Sequence, residues 1–188
     1  MEIRELSVPG AFAMTPKILG DSRGAFLEWF RADRFSEVTG HPFTIAQANC
    51  SVSAAGTVRG VHFAEVPPSQ AKYVTCPSGA LLDVVVDVRR GSPTFGQWEG
   101  FDLSDENMHL LYAPVGFAHG FCVLSDTADV LYKQDAYYEP DVDRAFRYDD
   151  PDVAIAWPLP AGELVPSQRD LDAPLLRDVA NGLPFEYR

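Results

Sequence analysis

Short apolar runs broken by turn residues fill the first three quarters of this chain. β-branched and aromatic residues cluster over 43–51, 57–63, 72–76, 80–88, 98–103, 109–113, 120–124 and 129–133. Turn-forming residues punctuate them at 20–21, 23–24, 40, 56, 67–68, 77–79, 91–93, 105–107 and 114–116. Each run has the length of a strand, and the breaks come too often for ordinary helices. Residues 81–88, LLDVVVDV, are nearly continuous Leu and Val, the pattern of a strand buried along most of its length. Only 33–38 reads as helical in this part. Many short strands at regular spacing predict an all-β protein, with a double-sheet jelly-roll barrel as the leading architecture.

From residue 137 the pattern fades into a stretch rich in Pro, Asp and Tyr. Ile155, Trp157, Leu159, Leu164 and Leu171 still call for burial. Residues 137–188 are therefore expected to pack over the barrel, within one domain spanning 1–188. A short helix is expected within 168–177.

The net charge of -12 leaves no source for neutralising a phosphate backbone, so nucleic acid is not an expected partner. A small anionic ligand stays compatible, because a few clustered Arg and Lys create a local positive site. No run is apolar enough to span a bilayer, and the first ten residues lack the core of a signal peptide, so no membrane association is expected. Cys50, Cys76 and Cys122 are odd in number and lie in apolar runs. They read as buried thiols of a reducing compartment, the cytoplasm.

Several segments are candidates for chemistry. In Arg59-Gly60-Val61-His62-Phe63, strand alternation puts Gly60 and His62 on one face and the other three residues on the opposite one. Gly60 would leave room for a ligand beside His62, although a histidine satisfied within the core fits equally well. A turn at 114–116 feeds a strand carrying His119. A metal site would need His62, His119 and a carboxylate; Ala64 stands where a second histidine of a His-x-His pair would be, so no metal is expected. Lys72, inside an apolar strand, is either an edge residue or a functional cation. Tyr132 reads as a core tyrosine, Tyr137 and Tyr138 as loop packing, Arg23 as an exposed turn charge, and 167–170 as a helix start. Glycine-rich phosphate loops, G-x-S-x-G elbows and paired C-x-x-C motifs are missing from the sequence.

In order along the chain stand Asp21-Ser-Arg23-Gly24-Ala-Phe26-Leu-Glu28, Asn49-Cys-Ser-Val-Ser53, Arg59-Gly60-Val-His62-Phe63 and Gln70-Ala71-Lys72. Gly79-Ala-Leu-Leu-Asp83, Ser92-Pro93-Thr94-Phe95-Gly96, Pro114-Val-Gly116-Phe117-Ala-His119-Gly120, Tyr132-Lys133 and Trp157-Pro158 follow. Together they resemble the dTDP-4-dehydrorhamnose 3,5-epimerase (RmlC-type) family of cupins. The resemblance implies a cupin-like double-stranded β-helix with a few short helices, mainly C-terminal. It implies epimerisation of a dTDP-4-keto-6-deoxy-hexose at C3, C5 or both, without cofactor, by proton abstraction beside the C4 ketone and reprotonation on the opposite face. By that resemblance His62 is the base, Asp170 orients it, Lys72 faces the ketone oxygen and Tyr132 is the acid. Arg23, Phe26, Glu28, Gln47, Asn49, Arg59, His119, Tyr138, Asp143 and Arg169 bind substrate, with Tyr138 stacking on the thymine. The family's dimers exchange N-terminal strands, so a homodimer is implied, with Arg23 serving the neighbouring pocket. Asp143 and Arg169 depart from the Glu and Lys common in the family. The rivals are a mono-epimerase, a metal-dependent cupin and a non-catalytic sugar-binding cupin.

These residue types suit the reaction. A proton beside a ketone is too weakly acidic for imidazole unless the developing enolate oxygen is stabilised, and an ammonium in a water-poor pocket supplies that. Histidine, with an unperturbed pKa of ~6.5, is a fitting base near neutral pH. Inversion needs a second proton carrier on the far side of the ring.

Overall fold

The computed structural model describes residues 1–187 and is built on two facing antiparallel sheets. The first has six strands in the order β1 (Glu2–Glu5), β2 (Phe12–Thr15), β10 (Leu110–Ala113), β7 (Lys72–Ser78), β12 (Thr127–Gln134), β5 (Gln47–Ala54). The second has five, in the order β13 (Asp143–Ala145), β6 (Val58–Ala64), β11 (Phe117–Val123), β8 (Ala80–Asp87), β9 (Trp98–Ser104). A separate hairpin, β3 (Ile18–Asp21) with β4 (Gly24–Leu27), pairs only with itself. This is the expected jelly-roll barrel.

Alternation along the strands fills the space between the sheets. Val74, Cys76, Leu81, Leu103, Phe121, Val123, Ala128 and Val130 form one buried cluster there. β8 is buried on both faces, as its Leu- and Val-rich run predicts, because the chain end covers its outer side. Phe146, Val153, Leu176, Leu183 and Phe185 pack onto Val61, Phe63, Val86 and Val88 in that cover. On the opposite flank α1 (Ala32–Thr39) lays Phe35 against Phe43, Tyr73 and Tyr112. It ends at Gly40, whose φ of 72° is the left-handed cap glycine tolerates best.

Several expectations need correction. The strand expected at 43–51 starts only at Gln47, because Phe43 is drawn into the aromatic cluster under α1. The short helix expected within 168–177 is present as α2 (Gln168–Leu171), and a second four-residue turn, α3 (Leu176–Val179), follows it. Pro174 lies between them and disfavours helical backbone at the residue before it. Ile155, Trp157, Leu159 and Leu164 are half-buried, whereas Leu171 is exposed. All three cysteines are unpaired and Cys76 and Cys122 are buried, but Cys50 is exposed, because β5 is an edge strand. Among the described residues no helix is long and apolar enough to cross a membrane.

Candidate active site

A cavity of ≈ 490 Å³ lies at one end of the barrel, lined from six strands and α2. His62 comes from β6, Lys72 from β7, His119 from β11, Tyr132 and Gln134 from β12, Asp143 from β13, and Arg169 and Asp170 from α2. The sequence thus brings together the proposed base, cation and acid, although they are up to 70 residues apart (132 minus 62).

The geometry at β6 departs from simple alternation. His62 pairs with His119, but Arg59 pairs with Phe121, so three steps on β6 match two on β11. The extra residue is a bulge, and it turns Arg59 to the same cavity as His62. Val61 and Phe63 face the core beneath the C-terminal cover. The space expected beside Gly60 is therefore not for a ligand. A Cβ on Gly60 would come within 2.6 Å of Gly120 Cα, so the glycine serves the close approach of two backbones.

His62 Nε2 lies 2.6 Å from Asp170 Oδ1. Paired to a carboxylate, Nε2 carries the proton and Nδ1 is left as the basic nitrogen. The second oxygen of Asp170 accepts from Ser167 Oγ at 2.8 Å, and Ser167 caps α2 by accepting from the Asp170 N–H. Asp170 is 2% exposed. Burial pushes its carboxyl upward, but the hydrogen bond and charge of His62, with the Ser167 contacts, hold it below the usual carboxylate value.

His119 Nε2 lies 2.5 Å from Asp83 Oδ1, and Asp83 is wholly buried. The two groups are in close contact but not aligned as a hydrogen bond. Burial lowers the Lys72 ammonium, and the charges of Asp143 and Asp83 oppose that. Burial raises the Tyr132 phenol, with Arg59 opposing.

At the mouth, Arg169 Nη1 meets Asp143 Oδ2 at 2.7 Å, and the Tyr138 hydroxyl donates to the same oxygen at 3.3 Å. The two positions that depart from the family pattern therefore meet each other, the shorter acid facing the longer base. Other expected site residues stand elsewhere. Arg23 forks onto Asp21 and its side chain is 88% exposed; Phe26 and Glu28 are also exposed, on or beside the β3–β4 hairpin. Gln47 and Asn49 lie just outside the cavity, hydrogen-bonded to each other. Six polar lining or contacting residues were not expected from sequence: Ser51, Thr57, Gln70, Asp83, Gln134 and Ser167. A carboxylate inside a Leu- and Val-rich run was the available signal for Asp83, and Ser-x-x-Asp at a helix start for Ser167. Among the described residues no three His, Cys, Asp or Glu side chains converge as a metal site.

A barrel of this topology, with an imidazole–carboxylate pair, an ammonium and a phenol around one cavity, defines a cupin-fold isomerase. Comparison with known proteins narrows the class. The family described as dTDP-4-dehydrorhamnose 3,5-epimerase matches residues 5–178. The dTDP-4-dehydrorhamnose 3,5-epimerase of Mycobacterium tuberculosis is 49% identical over 185 residues, covering 97% of this chain and 92% of its own. A dTDP-4-dehydrorhamnose 3-epimerase from Streptomyces niveus is 48% identical over 178 residues, covering 95% and 85%. The Legionella pneumophila 3,5-epimerase, solved in complex with dTDP-4-keto-L-rhamnose, superposes with a TM-score of 0.94 at 41% identity, covering 100% and 98%. The chain belongs to the dTDP-4-dehydrorhamnose 3,5-epimerase family. It is an epimerase of dTDP-4-keto-6-deoxy sugars in deoxysugar biosynthesis.

Proposed function

We propose that His62 and Tyr132 exchange protons with opposite faces of the hexose, at the carbons flanking its C4 ketone. His62 Nδ1 takes the proton from carbon. The C–H electron pair becomes the C=C bond of the enolate, and the ketone oxygen takes the negative charge, which Lys72 stabilises. The Tyr132 hydroxyl then gives its proton to the other face, the C=O reforms, and solvent returns the protein groups to their starting states. No net oxidation occurs at any step, so the sequence balances without a redox cofactor. Asp170 holds the His62 tautomer and stabilises the imidazolium. The observation that supports this reading is the convergence of the His62–Asp170 pair, Lys72 and Tyr132 on one ≈ 490 Å³ space.

Binding follows from the charges at the mouth. Arg59 and Arg169 address the diphosphate, His119 and Asp143 complete the polar wall, and Tyr138 stacks on the thymine. The hairpin supplies Arg23, Phe26 and Glu28 to a neighbouring copy, which makes the working unit a homodimer. Its strands are exposed along nearly their whole length, with Leu19 at 52% and Phe26 at 70%, a surface that a partner would bury. Three unpaired cysteines suit a cytoplasmic enzyme.

Incubating the enzyme with dTDP-4-keto-6-deoxyglucose in deuterated water tests the chemistry. Label is expected at C3, C5 or both, with inversion at the labelled carbons, and absence of label would overturn the mechanism. Mixing Arg23→Ala and His62→Ala subunits tests the exchange. A mixed dimer has one site with both residues intact, so recovered activity is expected; no recovery would place Arg23 in its own subunit's site.

A further inference from the structure

Gln70 and Gln134 have no role in the chemistry above, yet both line the cavity and Gln134 is only 3% exposed. Their contacts form a closed circuit. Gln134 Nε2 donates to Gln70 Oε1 at 2.7 Å, and Gln70 Nε2 donates to the Tyr137 carbonyl at 2.9 Å. The Tyr138 N–H donates to Gln47 Oε1 at 2.8 Å, and Gln47 Nε2 donates to Asn49 Oδ1 at 2.9 Å. Asn49 Nδ2 donates to Gln134 Oε1 at 2.9 Å, which returns to the start. The Tyr137 carbonyl and the Tyr138 N–H belong to one peptide group. The circuit is thus a ring of five amides, four from side chains and one from the backbone, each donating once and accepting once.

The direction of the ring is not arbitrary. A peptide N–H only donates and a carbonyl only accepts, so the backbone member sets the sense of every other bond. Turning any one side-chain amide over would set oxygen against oxygen on one side and nitrogen against nitrogen on the other. Only one arrangement satisfies all members, and polarisation around a closed chain strengthens each link.

The ring also has a definite place. Gln134 stands opposite Gln47 on β5 and opposite Lys72 on β7. It ties β12, the segment leading into β7 and Lys72, the edge strand β5 and the 135–142 loop into one frame. Tyr138 lies in that loop, half-exposed at the mouth, and its hydroxyl reaches Asp143 only at 3.3 Å. The peptide between Tyr137 and Tyr138 is where the body of the protein grips the loop.

We propose that this amide ring, closed by Gln70 and Gln134, holds Tyr138 at the cavity mouth in the orientation that receives the nucleobase. The two glutamines are positioning residues, acting through Tyr138. Setting an aromatic platform before the ligand arrives removes an ordering cost from binding and leaves the proton transfers untouched. The proposal rests on the reading of Tyr138 as the nucleobase platform. It also gives Gln47 and Asn49 a role as ring members.

Four variants test it: Gln70→Leu, Gln134→Leu, the double variant, and Tyr138→Ala. Gln134→Glu is added as a size-matched change that keeps the acceptor for Asn49 and removes the donor to Gln70. Titration with dTDP, steady-state kinetics and amide hydrogen exchange are the readouts. Each ring variant is expected to raise KM and the dTDP Kd about five- to tenfold, the scale of one or two net hydrogen bonds, with kcat within about twofold. The double variant is expected to match the singles, because a ring broken twice has lost little more than one broken once. Exchange at the Tyr138 amide should quicken while that of Val85, in the core of β8, stays as in the unaltered enzyme. Unchanged dTDP affinity with unchanged Tyr138 exchange in both leucine variants would overturn the ring, as would a double variant whose loss is the product of the singles. Tyr138→Ala with undiminished dTDP affinity would instead overturn the nucleobase reading. Quickened Tyr138 exchange in Gln134→Leu would then still support the ring as the grip on the loop.

Discussion

Asp83 and Asp87 lie on the same face of the same strand, four residues apart (87 minus 83), and both are wholly buried. Their surroundings are opposite. Asp87 accepts from the Arg89 backbone N–H, from Arg89 Nε and Nη2, and from the hydroxyls of Ser92 and Thr94. Burial pushes its carboxyl up, yet those donors hold it below its usual value. Asp83 meets His119, and neither of its oxygens has an aligned hydrogen bond. One end of the barrel is locked by a saturated carboxylate. The other keeps polarity unspent beside a cavity. A buried charge with all its partners holds structure together; one short of partners is tolerated where it faces a ligand or tunes a neighbour.

Substitutions can sharpen or break that contrast. The largest effect is expected at the open end. His62→Ala should cut solvent deuterium incorporation by about 100- to 10,000-fold while dTDP binding persists, and mass spectrometry of the recovered sugar reads it. Tyr132→Phe should leave exchange running but abolish inversion; unchanged epimerisation would remove it from the mechanism.

Lys72→Met should cost on the order of 100-fold in kcat and yet raise the thermal midpoint, because it removes an ammonium that burial disfavours. The sign follows from linkage. A lysine whose folded pKa is lowered costs stability while it is charged, and that cost fades as pH rises from the folded value toward the unfolded one, about 10.4. The stability gap between Lys72→Met and the unaltered enzyme should therefore narrow in alkaline buffer.

Asp87→Asn should cost about 3 kcal/mol in chemical denaturation, with kcat of the folded fraction preserved. Asp83→Asn should do the reverse, lowering kcat several-fold through His119 at little or no cost in stability. If both variants lose stability equally, the two ends of the barrel are not different in kind.

The parts legible from sequence were those whose signal is local. β8 and β6 were read nearly to their ends, because Leu- and Val-rich runs and Arg-Gly-Val-His-Phe carry strand character within themselves. α1 was read within one residue at each end, from 33–38 to Ala32–Thr39. β1 was missed because Glu2, Arg4 and Glu5 present no alternation to read, and β13 because its three residues mean nothing without β6 beside them. The core of the site was legible as ordered motifs. Its polar surroundings were not, since glutamines and serines have the same look in sequence whether they face water or close a ring.

What the chain order alone determined was the run of strands from β5 to β12, the kind of barrel, and the list of candidate groups for moving a proton. What needed the folded molecule was their arrangement. The bulge that turns Arg59 toward His62, the pairing of Asp143 with Arg169, and the ring around Tyr138 all depend on register between strands far apart in sequence. Hydrophobic periodicity records which face of a segment is buried. Where one strand gains a residue on its neighbour is settled only when backbone partners and packed side chains compete for the same space.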